Sequence, residues 1–182
     1  MNLGELLTRI TIWVAIGGYA LSAAILLLRG KNLHWQSRAR WASTIGCLSL
    51  AAHTICAFHF YHDWSQASAY REVERQTAEV TGAAFGGGLF INYVFLAAWI
   101  ADVVWWWRGL ETYRHRHWLI TAAWHGIVVF MFFNATVVFK TGLVRWLGTG
   151  ICLGLLLALL FSIRATQFSA RSAISPQRRG ER

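Results

Sequence analysis

From Ile10 to Leu28 the chain runs without a charged side chain, and it does so again from Trp146 to Ile163. A run of this kind has few solutions. About 20 apolar residues wound as a helix span roughly 30 Å of hydrocarbon, and the helix satisfies its own backbone polar groups. Three further stretches meet the same test. Trp41 to Tyr61 has no acid or base except histidine, Ala83 to Trp107 has the single acid Asp102, and His117 to Phe139 has only His117 and His125. Of the whole chain 56% is hydrophobic and 14% charged, against roughly 25% charged in a soluble domain. The expectation is an all-α polytopic membrane protein, one domain over 1–182, with spans at 10–28, 41–61, 83–107, 117–139 and 146–163. The first span is read as a retained helix, because its apolar run is long for a signal peptide and the bases follow it at Arg29 and Lys31.

Loops rich in Lys and Arg stay cytoplasmic. With the N-terminus outside, twelve of the 17 bases fall on the inner side and five on the outer, while most of the acids fall outside. The net charge of +9 therefore reads as a topology signal, with residues 164–182 as a basic cytoplasmic tail, and not as a nucleic-acid surface, since the bases are dispersed beside apolar spans. Tryptophans at 35, 41, 105, 106, 107 and 118 gather at the proposed inner edge, the level indoles prefer. Trp99 and Trp124 fall well within spans. The location expected is a bacterial cytoplasmic membrane. Cys47, Cys56 and Cys152 sit inside apolar runs, which argues against a disulfide scaffold or a paired-cysteine zinc module.

Between Trp64 and Gly82, Tyr70, Val73, Thr77 and Val80 recur at helical spacing among charged residues, Asp63 or Ser65 can cap the start and Gly82 the end. This predicts a short amphipathic helix lying on the outer surface. The Gly86–Gly88 run after it offers either a flexible lead into the third span or a smooth face for a close helix, and Gly150 with Gly154 makes a small-residue pair suited to packing.

Ionisable groups inside hydrocarbon are costly and tend to be kept for a reason. His53 and His125 lie about 18 and about 12 Å from the inner ends of their spans, near mid-membrane, and neutral imidazole is an axial ligand of haem iron. Gly46 near His53, and Ala122 and Gly126 near His125, would leave room for a porphyrin. This reading makes the protein a redox subunit with one haem b, with Asp102 accepting the second ring N–H of His125 and quinone as the partner in the bilayer. In helix count the chain is similar to the five-helix cytochrome b subunits that anchor respiratory oxidoreductases. That resemblance is architectural, since two-haem members need two axial pairs and no histidine lies on the first, third or fifth span here.

A second reading starts from His59, His62 and Asp63. Spaced i, i+3, i+4, they would share one turn of the second span and could ligate zinc or copper, with a further ligand from the long loop or from Asn92 and Tyr93. A third treats every histidine as a helix-to-helix bond in an accessory subunit, packed in the lipid bilayer beside other subunits of a membrane complex. Transport is disfavoured, because no inverted repeat or broken-helix pair is visible.

Overall fold

The structure is a computed structural model and describes residues 2–29, 32–138, 142–143, 145–154 and 156–157. The apolar runs are helices, and the first two helices begin well before the runs that betray them. Helix α1 is Leu3–Arg29 and α2 is Leu33–Tyr61, at 27 and 29 residues. At 1.5 Å per residue both exceed about 40 Å, more than the hydrocarbon needs. The physical reason is that Glu5, Arg9, Arg38 and Arg40 interrupt an apolar pattern without interrupting a helix. Asn32 caps α2, its side chain accepting from the His34 N–H at 2.9 Å.

Past the turn at Asp63 and Trp64, α3 runs Gln66–Thr81 between the expected caps, Ser65 at its start and Gly82 at its end in the left-handed conformation (φ 77°). Helix α4 is Gly88–Arg108, α5 the single short turn Leu110–Arg114, and α6 is Trp118–Phe133, continued as a π-helical turn over Asn134–Val138. Among the described residues there is no strand.

Four helical stretches, Leu3–Arg29, Leu33–Tyr61, Gly88–Arg108 and Leu119–Val138, are long and apolar enough to cross a membrane. The fifth expected span is helical over 145–154; from residue 158 onward it lies outside the described residues, as does the tail expected over 164–182. In the four stretches only 22 to 33% of the most apolar window is buried within the chain. The remaining apolar surface requires apolar surroundings, which makes a membrane protein the fold these helices suit.

Small residues set the spacing of the α1–α2 hairpin. Ala15 and Gly18 on α1 meet Ala42 and Gly46 on α2 so closely that a Cβ added to Gly18 would stand 2.8 Å from the Ala42 carbonyl oxygen and the Gly46 Cα. Only backbones can occupy that space, and this close approach is what drives helix association where lipid removes the hydrophobic contrast. Helix α4 then lies against α2. The Trp99 indole covers Gly46, and its Nε1 donates to Ser43 Oγ at 3.1 Å. Helix α6 completes the core with Trp124, Val128 and Phe132 beside Tyr19, Phe95 and Trp99, and Ile151 packs against it from the next helical stretch. Both tryptophans expected within spans are thus core residues. Among the described residues nothing lies within 4 Å of a Cβ built at Gly150 or Gly154, whereas one built at Gly148 would run into Thr136.

At the opposite end from the α1–α2 connection, α3 rests on α2 and α4. Ala69 is buried with Phe58 and Leu89, and Tyr93 Oη donates to Gln66 Oε1 at 2.9 Å. Gly86 must lack a side chain here, since a Cβ would run into the Tyr70 ring. Of the two uses foreseen for the glycine run, close approach is the one realised. On the exposed face of α3, Arg75 pairs with Glu72 and Glu79, and the Arg75 hydrogen bonds hold the Glu72 carboxyl below its ordinary range.

Candidate functional site

The groups able to do chemistry inside the apolar bundle are Asp102, Arg116, Tyr19 and the histidines. Asp102 sits on the buried face of α4, two turns before that helix ends at Arg108. After α4 the chain makes the short α5 and folds back. Tyr113 then stacks on Trp106 with ring centroids 4.4 Å apart and planes within 2°, and Arg116 returns to the carboxylate. Arg116 Nη1 donates to Asp102 Oδ1 at 2.5 Å, and Tyr113 Oη donates to the same carboxylate at 3.0 Å. Arg116 Nε donates to Thr121 Oγ1 at 2.9 Å, and the guanidinium lies 4.1 Å from the Tyr113 ring centroid. Burial first, and then the Asp102 charge, pushes the Tyr113 hydroxyl well above the ordinary tyrosine range. It therefore stays a neutral donor.

This corrects one expectation. The carboxylate of Asp102 was paired above with the His125 ring because the two stand at similar heights. Its bonds go to Arg116 and Tyr113 instead, because a guanidinium in the connector compensates a buried charge far better than a neutral imidazole does.

His125 is held by another residue. Its Nδ1 lies 2.6 Å from Tyr19 Oη, which joins α6 to α1. The phenol donates when the imidazole carries its proton on Nε2. Around the pair stands an aromatic cage: Tyr19 meets Trp99 and Phe132 edge-on at 6.0 and 5.4 Å, and Phe95 stacks on Trp124 at 6.1 Å.

His53 joins α2 to α1, its Nδ1 donating to the Thr8 carbonyl at 3.0 Å. Thr8 and Tyr19, the α1 residues that receive the two histidines, are eleven residues apart, about 16 Å of helix axis. The room expected beside the histidines is unequal. Gly46 is filled by the Ala15 carbonyl and the Trp99 ring, whereas nothing in the described chain lies within 4 Å of a Cβ at Gly126.

His59, His62 and Asp63 do not form the single helical turn that their spacing implies, because α2 ends at Tyr61. His62 is its C-cap, and Asp63 follows in the left-handed region at φ 45°. The His59 ring lies against Phe60 at 4.7 Å, and His62 Nδ1 stands 3.4 Å from Ser68 Oγ. Tyr93, offered as a further ligand, is hydrogen bonded to Gln66. Among the described residues no three His, Cys, Asp or Glu side chains gather as a metal ion would need.

Arg116, Tyr19 and Tyr113 are not singled out by the sequence, because Arg116 and Tyr113 lie in a connector outside the apolar runs and a tyrosine within a span carries no charge to mark it. A base eight residues past the end of a span that contains a lone acid is the signal that could have found Arg116. Comparison with known proteins finds no matching family model, no matching curated protein and no matching solved structure.

Proposed function

We propose that this chain is an integral membrane protein whose intramembrane polar groups couple helices, and that it serves as a non-catalytic packing subunit of a membrane complex. The observation that carries this reading is that three of these groups are each engaged by another part of the chain: His53 by Thr8, His125 by Tyr19, Asp102 by Arg116. Bonds of this kind add roughly 1 kcal/mol each in a bundle. The apolar faces left uncovered are then available to lipid and to neighbouring helices.

A one-haem redox subunit is the competing reading. It asks His53 and His125 to face one iron, and the eleven residues between their α1 partners speak against that. A spectrum with metal analysis of the detergent-purified protein decides between them. Helix coupling predicts that His53→Ala and His125→Ala lower the unfolding midpoint and leave the spectrum unchanged. A sharp b-type alpha band that vanishes in both variants overturns the packing reading, and stoichiometric zinc or copper lost in His59→Ala, His62→Ala would do so in favour of a metal site.

The same proposal carries a topology with the N-terminus outside, resting on the distribution of bases. Reporter fusions at Gln167 and within residues 64–82 should report opposite sides, and an outside signal from Gln167 reverses it.

A further inference from the structure

The end of the bundle where α1 closes on α2 and α4 terminates carries cations without acids. Of the acids at that end among the described residues, Asp102 is taken by Arg116, and Glu111 lies beside Arg114 and His115. Arg38 and Arg40 have no carboxylate partner among the described residues. Both instead lie over indoles. The Arg38 guanidinium is 4.6 Å from the Trp35 ring centroid and that of Arg40 is 4.0 Å from Trp107. Trp107 is fixed in turn, its Nε1 donating to Thr44 Oγ1 at 2.9 Å and its ring meeting Trp41 edge-on at 4.9 Å. Trp41 and Trp107 remain 54 and 41% exposed. Arg40 Nε is buried and has no acceptor among the described residues.

These features point outward to one kind of ligand. Indoles half out of an apolar bundle mark the headgroup level. A guanidinium stacked on an indole keeps its N–H groups in its own plane, free to grip two oxygens of a phosphate. We propose that Arg40, backed by Trp107 and Trp41, and Arg38, lying over Trp35, bind the phosphates of phospholipids with net negative charge from separate faces of α2. A zwitterionic headgroup presents the same phosphate with an ammonium beside it, which the unpaired arginines repel. A free phosphate lacks the acyl chains that the exposed indoles and the apolar surface of α2 would cover.

The test uses the full chain, delipidated in detergent and titrated in native mass spectrometry with phosphatidylglycerol, with phosphatidylcholine, or with inorganic phosphate. Phosphatidylglycerol should bind at least about tenfold tighter than phosphatidylcholine, and each of Arg38→Gln and Arg40→Gln should weaken it about fivefold, the equivalent of about 1 kcal/mol per arginine. Arg9→Gln and Arg71→Gln, at the opposite end, should leave it unchanged. Arg38 is exposed, so Arg38→Gln carries the test should Arg40→Gln fail to fold. Equal binding of the two lipids overturns the proposal, and so does unaltered binding in the Arg38 and Arg40 variants. Inorganic phosphate that competes with phosphatidylglycerol at equal concentration also overturns it, assigning the site to a free anion.

Discussion

Asp102 on α4 and Arg116 just before α6 form an ion pair 2.5 Å across, with side chains only 9 and 4% exposed. Removing one partner strands the other as a buried charge, so Arg116→Met alone should destabilise the fold by about 3 to 5 kcal/mol. The double change Asp102→Leu, Arg116→Met should be less harmful than that single one. A double-mutant cycle on reversible unfolding in detergent measures both, and a double variant worse than the sum of its parts would refute the pair as drawn.

Adjacent glycines on α1 make a matched comparison. Gly18→Ala pushes a methyl into the Ala42 carbonyl and the Gly46 backbone, whereas none of the described residues lies within 4 Å of a Cβ built at Gly17. Gly18→Ala should destabilise by about 1 to 3 kcal/mol, and Gly17→Ala should not. Unfolding midpoints of the two variants check this, and equal midpoints would dissolve the close approach.

Tyr19→Phe keeps the ring in the aromatic cage and removes only the hydroxyl that meets His125. The expected loss is about 1 kcal/mol, the usual value of a polar link between membrane helices. Trp99→Ala empties the centre of the same core and should remove about 3 to 5 kcal/mol. Equal losses would refute this ranking, since the hydroxyl would then matter as much as the packing.

Tyr113 ties the bundle to pH on the alkaline side. Its folded pKa is raised by burial and by Asp102, so its contribution is fully present below the unfolded tyrosine value of about 10 and is lost as pH rises above it. Stability measured from pH 8 to 11 should fall above pH 10. Tyr113→Phe should flatten that fall, and an unchanged slope in the variant would place the sensitive group elsewhere.

The parts of this protein legible in its sequence are those that depend on one element at a time. Long apolar runs place four of the helices, because a membrane-length apolar stretch has few other ways to satisfy its backbone. Ser65 and Gly82 bound α3, because capping is a matter of a few neighbouring residues. Trp99 and Trp124 are core residues, because indoles far from both interfaces have nowhere else to go. Helices α1 and α2 extend up to eight residues past their apolar runs, since a charge stops hydropathy and leaves helix propensity intact.

Partnership was decided only in three dimensions. Asp102 was visible as a buried acid, but its mate depended on whether residues 109–117 would fold back and stack Tyr113 on Trp106. His53 and His125 were visible as buried imidazoles, yet the level of His53 on α1 follows from how Gly18 and Gly46 set the register of the hairpin, and that of His125 from how α6 packs beside Tyr19, Phe95 and Trp99. His59, His62 and Asp63 had the spacing of one face and lost it because α2 ended two residues too soon. Periodicity specifies what a helix can present to its surroundings. Which group it meets depends on distances between helices, and close packing of small residues and indoles sets those.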